Sequence, residues 1–201
     1  MSSSVEQTEA SRLEAILDQA AWLFYERGYG AVGMRTIAEL VGVRASSLYH
    51  YFDSKSDLLY QISLGVTRDF IDQLLPILDS PIPYPERTTG FILSHIELRW
   101  RRRHWISTAL QELRSLDGER GAEIAGYLRA YQRTIQDFIA QGVAAGAFHV
   151  RDPWLAGVAL LDMINGVNGW YRPQGSRSLN QIAEGYAQLG VYQLLGAAQR
   201  L

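Results

Sequence analysis

The sequence predicts an all-α protein of about nine helices, and three observations predict it. Through nearly every long segment apolar residues recur at spacings of three and four, the period of one helical face, while the alternation of a half-buried strand is not apparent. Residues that start helices stand in front of these runs: Ser11-Arg12-Leu13-Glu14 and Ser178-x-x-Gln181 have capping-box spacing, and Asp152-Pro153 pairs a cap with proline at the first helical position. Glycine and proline close the runs at their other ends.

Residues 1–10 carry no apolar period and are expected as a disordered tail. From Ser11 a first helix follows, with Leu13, Ile16, Leu17, Ala20, Ala21 and Phe24 on one face and Gly28 at its end. Met34, Ile37, Ala38 and Val41 repeat the pattern over a shorter span closed by Gly42, which predicts a short second helix. After the Gly42-Val43-Arg44 connection, Ala45 to Tyr51 is expected as a third. Both short helices are marginal by themselves, so they need the first to pack on. Ser54-Lys55-Ser56-Asp57 then caps a long fourth helix carrying Leu58, Leu59, Ile62, Val66, Phe70 and Leu74, interrupted or ended near Pro76. Pro81, Pro83 and Pro85 mark a connector, beyond which helices are expected over 86–103, 105–116, 119–145, 153–171 and 179–199. The expected division is a three-helix domain over 11–57 and a larger helical domain over 58–201.

Composition narrows the function. The chain of 201 residues is 47% hydrophobic and 20% charged, enough for a well-buried core. It holds no cysteine, which excludes disulfides, zinc–thiolate sites and thiol nucleophiles and fits a cytoplasmic protein. No run approaches the ~20 apolar residues that span a bilayer. The net charge is −2 and Lys55 is the only lysine, so a nucleic-acid partner must be argued from local arrangement rather than bulk charge. Nucleophile elbows, phosphate-cradling glycine loops, HExxH motifs and carboxylate pairs are not found, so no catalytic residue, enzyme activity or cofactor is expected.

Two short helices joined by a glycine turn and braced by a longer one form the pattern of a helix-turn-helix, whose second short helix lies in the DNA major groove. Val43, Leu48 and Phe52 are expected inward, leaving Arg44, Ala45, Ser47, Tyr49 and His50 toward the groove. Hydroxyls and imidazole can bond phosphates or base edges, arginine can read guanine, and alanine can lie against a thymine methyl. Between Arg27 and Lys55 stand four basic residues, Arg27, Arg35, Arg44 and Lys55, against Glu39 and Asp53, which makes the segment mildly positive.

The run Val41-Gly-Val-Arg-Ala-Ser-Ser-Leu-Tyr-His-Tyr-Phe-Asp-Ser-Lys-Ser-Asp-Leu-Leu59 resembles the signature of TetR-family transcriptional regulators, over roughly Ser11 to Leu59. The resemblance implies an N-terminal DNA-binding domain, a helical ligand-binding domain, and homodimers formed mainly by the last two helices. It also implies DNA contacts at Arg35, Arg44, Ala45, Ser47, Tyr49, His50 and Lys55, with Ser46 among them where the family often has glycine. Gly33 stands where the family usually caps the second helix with Thr or Ser, so the operator sequence is not inherited from relatives.

Asn165, Asn168, Trp170 and Arg172, with Phe70 and Trp100, are the expected ligand-binding residues, combining aromatic faces with amide and guanidinium donors. The stretch Asn165-Gly-Val-Asn-Gly-Trp-Tyr-Arg-Pro173 is similar to that of TetR regulators of lipid and sterol breakdown, which implies an apolar or acyl-CoA effector. Arg99-Trp100-Arg101-Arg102-Arg103-His104 reads as a solvated helix end or, alternatively, an anion site in the ligand domain. His95, His104 and His149 lack the pairing a metal site needs and read as core or surface residues. Small residues Ala156, Ala159, Gly166, Gly169, Ala183, Ala187, Gly190 and Ala197, with Leu161, Leu189 and Leu194, suggest a four-helix crossing between two copies. The expected function is a repressor released from a pseudo-palindromic operator by a small molecule; a constitutive DNA-binding regulator is the alternative.

Overall fold

A computed structural model describes residues 2–116 and 118–198, with side chains from Ser11 onward. Among the described residues there are nine α-helices and no strand: α1 Ser2–Arg27, α2 Met34–Leu40, α3 Ala45–Leu48, α4 Lys55–Leu78, α5 Tyr84–Arg101, α6 Arg103–Glu112, α7 Gly118–Ala144, α8 Pro153–Trp170 and α9 Leu179–Gln188. No described helix is long and apolar enough to cross a membrane. The all-α architecture with an N-terminal helix-turn-helix is therefore the one the periodicity predicts.

The boundaries carry the corrections. The tail expected to be disordered is helical from Ser2, so Ser11 lies inside α1 and caps nothing. Glu6, Gln7, Glu9 and Ala10 are good helix formers, and extending an existing helix needs no new nucleus. Pro76 sits inside α4, close enough to its end at Leu78 to be tolerated. The last helix turns at Gln188 into a π-helical segment, Leu189–Leu194, whose end is tied down where Leu195 O accepts the His149 N–H at 2.8 Å. The caps at Asp152 and Ser178 form as expected, the latter as a full capping box with Gln181.

Packing divides the chain into two compact units, Met1–Thr67 with Arg102–Ala125 and Arg68–Arg101 with Gly126–Leu201. The first unit includes α6 because α6 packs on α1. Ala20 and Ala21, both fully buried, let it approach, and Thr108 donates its hydroxyl to Ala21 O at 3.1 Å. The Trp105 indole N–H donates to Asp18, and Arg102 lies 4.6 Å over the Trp105 ring while pairing with Glu14 at 2.7 Å.

In the second unit α5 is the buried spine. Its Phe91, Ile92, Ile96 and Leu98 pack among Tyr131, Ile135 and Phe138 of α7, Leu160, Ile164 and Val167 of α8, and Ile182 and Ala187 of α9. Gly190 serves close approach here: a Cβ would stand 2.8 Å from Ile92 Cδ1 and 3.1 Å from Leu160 Cδ1. Of the small residues expected at a crossing between copies, Ala156, Ala183, Ala187, Gly190 and Ala197 are buried within the unit itself, as is Leu161, while Gly166 and Gly169 are exposed. Gly190→Trp is accordingly expected to lower the melting temperature through overpacking, at a cost of about 1–3 kcal/mol or more. A melt matching wild type would mean that the α9–α5 contact is looser than described.

Candidate functional site

The candidate DNA-facing surface is built on α2 and α3. Gly42 has φ +70°, and its N–H and that of Val43 bond the carbonyls of Glu39 and Ala38 at 3.3 and 2.9 Å, closing α2 in a Schellman turn that redirects the chain into α3. Leu48, wholly buried, and Phe52 anchor α3 from below. Arg44 caps α3 in extended conformation and is exposed, as are Arg35, Ser46, Tyr49 and His50; Ala45 and Ser47 are half-buried. The helix is shorter than expected. After Leu48 the N–H groups of His50 and Tyr51 bond the carbonyls of Ser47 and Leu48, a tighter i→i−3 pattern that sets Tyr49 and His50 on a turn. Gly33 caps α2 without a side-chain bond.

Lys55 is held differently from its neighbours. Its ammonium donates to Tyr29 O at 2.9 Å and lies 4.2 Å over the Tyr29 ring, so it clamps the short turn Tyr29–Ala31 to the first residue of α4. The start of α4 is braced further. Ser54 Oγ accepts the Asp57 N–H at 3.0 Å, Arg120 of α7 pairs with Asp57 at 3.1 Å, and the Tyr60 hydroxyl donates to Glu123 at 2.7 Å.

The second unit encloses two polar pairs at successive levels between α5 and α8. At the first, His95 is buried, with Nδ1 3.1 Å from the Tyr131 hydroxyl and Nε2 3.0 Å from Asn165 Oδ1. Phe70 closes this cluster edge-on, its ring 5.0 Å from His95 and 5.9 Å from Tyr131. Burial holds the imidazole pKa down to about 3, the Asn165 bond opposing and Arg99 assisting. Burial also keeps the Tyr131 hydroxyl protonated. The neutral ring therefore donates Nε2–H to Asn165 and accepts from Tyr131, which leaves both nitrogens satisfied. At the second level Asn168 Nδ2 donates to Arg99 O at 2.9 Å, and Trp100 packs edge-on against Tyr171 at 4.8 Å.

Of the expected ligand residues, Phe70 and Asn165 meet around His95, and Trp100 and Asn168 neighbour Arg99. Trp170 and Arg172 do not join them: Trp170 is half exposed beside Tyr186, and Arg172 is exposed with its guanidinium on Tyr171 O. Within the arginine run, Arg101 donates to Gln73 and Arg102 pairs with Glu14. His95 and Tyr131 are not among the site residues expected from sequence, and Arg99 enters only through the alternative reading of the arginine run as an anion site. For His95 and Arg99 the signal is a titratable side chain on the apolar stripe of α5, at the spacing Phe91, Ile92, His95, Ile96, Arg99; Tyr131 lies on α7, outside that stripe.

His95 gives a pH signature. Its pKa is about 3 folded against 6.5 ordinarily, so the unfolded chain binds the extra proton between those values. The stabilisation is complete above pH 6.5 and is lost at about 1.4 kcal/mol per pH unit as pH falls toward 3. Urea titrations of wild type and His95→Gln are expected to show a steeper acid loss in wild type. Parallel profiles would contradict a buried neutral imidazole.

Residues 16–62 match the family described as bacterial regulatory proteins, tetR family, and residues 82–194 match a tetracyclin repressor-like C-terminal domain. The HTH-type transcriptional repressor KstR2 of Mycolicibacterium smegmatis is 29% identical over 193 residues, covering 88% of this chain and 87% of that protein. The crystal structure of AibR in complex with isovaleryl coenzyme A and operator DNA superposes with a TM-score of 0.81 at 26% identity, covering 93% of this chain and all of that one. The ketosteroid transcriptional regulator KstR2 of Mycobacterium tuberculosis also gives 0.81 at 26% identity, covering 94% and 96%.

Proposed function

Starting from the fact that this chain belongs to the TetR family of bacterial regulatory proteins, we propose that it is a homodimeric cytoplasmic repressor released from a pseudo-palindromic operator by a small apolar or acyl-CoA effector. That it is a DNA-binding transcriptional regulator follows from the family, and its relatives are regulators rather than enzymes. One observation carries the DNA-binding reading: Arg35, Arg44, Ser46, Tyr49 and His50 are exposed together on a short segment whose inner side, Leu48 and Phe52, is fixed in the core. Exposed donors on a rigid base are what groove recognition requires.

The effector reading draws on the relatives and on the second unit. AibR binds isovaleryl coenzyme A, and the apolar interior between α5, α7 and α8 contains few polar groups, a composition suited to an acyl chain with one polar end. α4 is one continuous helix from Lys55, beside the DNA-facing segment, to Phe70, against His95. A ligand that displaces Phe70 acts on the helix whose first residue is Lys55. Two recognition segments must lie about 34–36 Å apart to meet successive major grooves, so a small tilt of α4 in each subunit spoils the fit.

The test is operator selection from a random duplex pool, followed by anisotropy measurements with wild type, Arg44→Ala and Tyr49→Ala. Both variants are expected to bind at least about tenfold more weakly while unfolding within about 0.5 kcal/mol of wild type, as surface substitutions do. Unchanged affinity in both would remove α3 from the DNA. Release of the bound duplex by cell metabolites supports the effector; a complex that no fraction dissociates supports constitutive binding instead.

A further inference from the structure

We propose, resting on the effector reading above, that Arg99 and Asn168 form the seat for the effector's polar end and that this end is an anionic oxygen group, carboxylate or phosphate, accompanied by a hydrogen-bond donor. The two levels between α5 and α8 differ in a way that points to it. The His95 level is closed, because both ring nitrogens already have partners. The Arg99 level is open. Arg99 Nε is buried without a hydrogen-bond partner, and so is Asn168 Oδ1, whose amide nitrogen is spent on the Arg99 carbonyl.

A guanidinium N–H and an amide oxygen removed from water and left unbonded each bear their full desolvation cost, and buried polar atoms in native proteins are seldom left so. The two are complementary in kind, one lacking an acceptor and the other a donor. Among the described residues no carboxylate pairs with Arg99. Two partly exposed arginines have carboxylate partners within the protein. Arg120 has Asp57, and Arg102 has Glu14. Arg87, whose Nε is also buried and unbonded, lies 4.0 Å over Tyr84 and donates to Leu78 O at 2.8 Å, which makes it a helix-end clamp.

Arg99 stays charged at neutral pH although burial lowers its pKa to about 10. A retained cation with no internal counter-charge, next to an unbonded acceptor and an apolar interior, matches an amphiphile with an anion and a nearby O–H or amide N–H. A free carboxylate and a phosphorylated thioester carrier both offer the anion.

The experiment uses the full chain and Arg99→Met, which keeps the apolar stem and removes the charge. Octanoate, octanoyl-CoA and octanol serve as probes in titration calorimetry, with thermal melts of both proteins without ligand. Because the charge is uncompensated in the free protein, the variant is expected to melt at or about 2–4 °C above wild type. Wild type is expected to bind at least one anionic probe about tenfold more tightly than octanol, and the variant to lose that preference while keeping its octanol affinity. Preference for octanoate identifies a carboxylate and preference for octanoyl-CoA a phosphate; either supports the seat. A variant melting well below wild type, or one that still prefers the anion, overturns it. Equal wild-type affinity for all three probes also overturns the seat but leaves the effector reading standing, whereas binding of none removes both.

Discussion

Leu48→Ala is expected to lose about 2–5 kcal/mol of stability and operator binding with it. Leu48 has no exposed surface, and α3 is only four residues long, far below the length at which a helix persists unaided. What holds α3 is tertiary: the leucine beneath it, the Gly42 turn before it and Phe52 after it. Truncating the leucine leaves a cavity beneath a four-residue helix, which cannot close without moving the segment above it. Tyr49→Ala, one residue away, removes a larger side chain from solvent and is expected to leave stability nearly unchanged. Leu48→Met, close in volume, is expected to cost under about 1.5 kcal/mol and to retain binding. Urea unfolding followed by circular dichroism, with anisotropy on the same operator, separates the three. If Leu48→Ala unfolded within about 1 kcal/mol of wild type and still bound, the buried anchor beneath α3 would be misassigned.

What the sequence made legible were features fixed by near neighbours. The caps at Ser54, Asp152 and Ser178, the Gly42 turn and the buried stripes of α1 and α4 depend on residues within one or two turns, and each forms as the spacing predicts. Ser11 has the same local signature and forms no cap, because the chain before it is already helical. The residues expected to face DNA are what remains once Leu48 and Phe52 turn inward, and burial of those two is as expected. Lys55 was placed correctly at the start of α4, but its bond to Tyr29 joins residues far apart in sequence and could not be read. The proposed effector region is less legible for the same reason. His95, Tyr131 and Asn165 meet only when α5, α7 and α8 pack, whereas Trp170 and Arg172, conspicuous in sequence, lie on exposed surface. Gly190 illustrates the limit of composition: a small residue marks a close approach but does not say whether the neighbour is another helix of the same copy or a second subunit.

Replacing Gly166 and Gly185 together with arginine is expected to separate the proposed dimer without harming the subunit. Both glycines are exposed within helices, on α8 and α9, and a Cβ at either would meet nothing within 4 Å. Arginine is the better helix former by most of a kcal/mol per site, so the isolated subunit is expected to be as stable as wild type or more so. α8 and the segment that continues α9 also expose Leu155, 54%, Trp170, 50%, and Leu189, 49%, apolar surface of the kind a partner covers. Across a twofold axis each arginine would meet its own symmetry mate or the apolar face, and a buried unpaired cation is not tolerated there. Sedimentation is expected to show monomers. Operator affinity is expected to fall by about 10²–10⁴, the advantage that two linked half-site contacts have over one. Gly190→Trp would confuse the two effects because that glycine lies in the core; the exposed pair isolates association from folding. An intact dimer in the double variant, with normal operator binding, would place the interface elsewhere than on the open faces of α8 and α9.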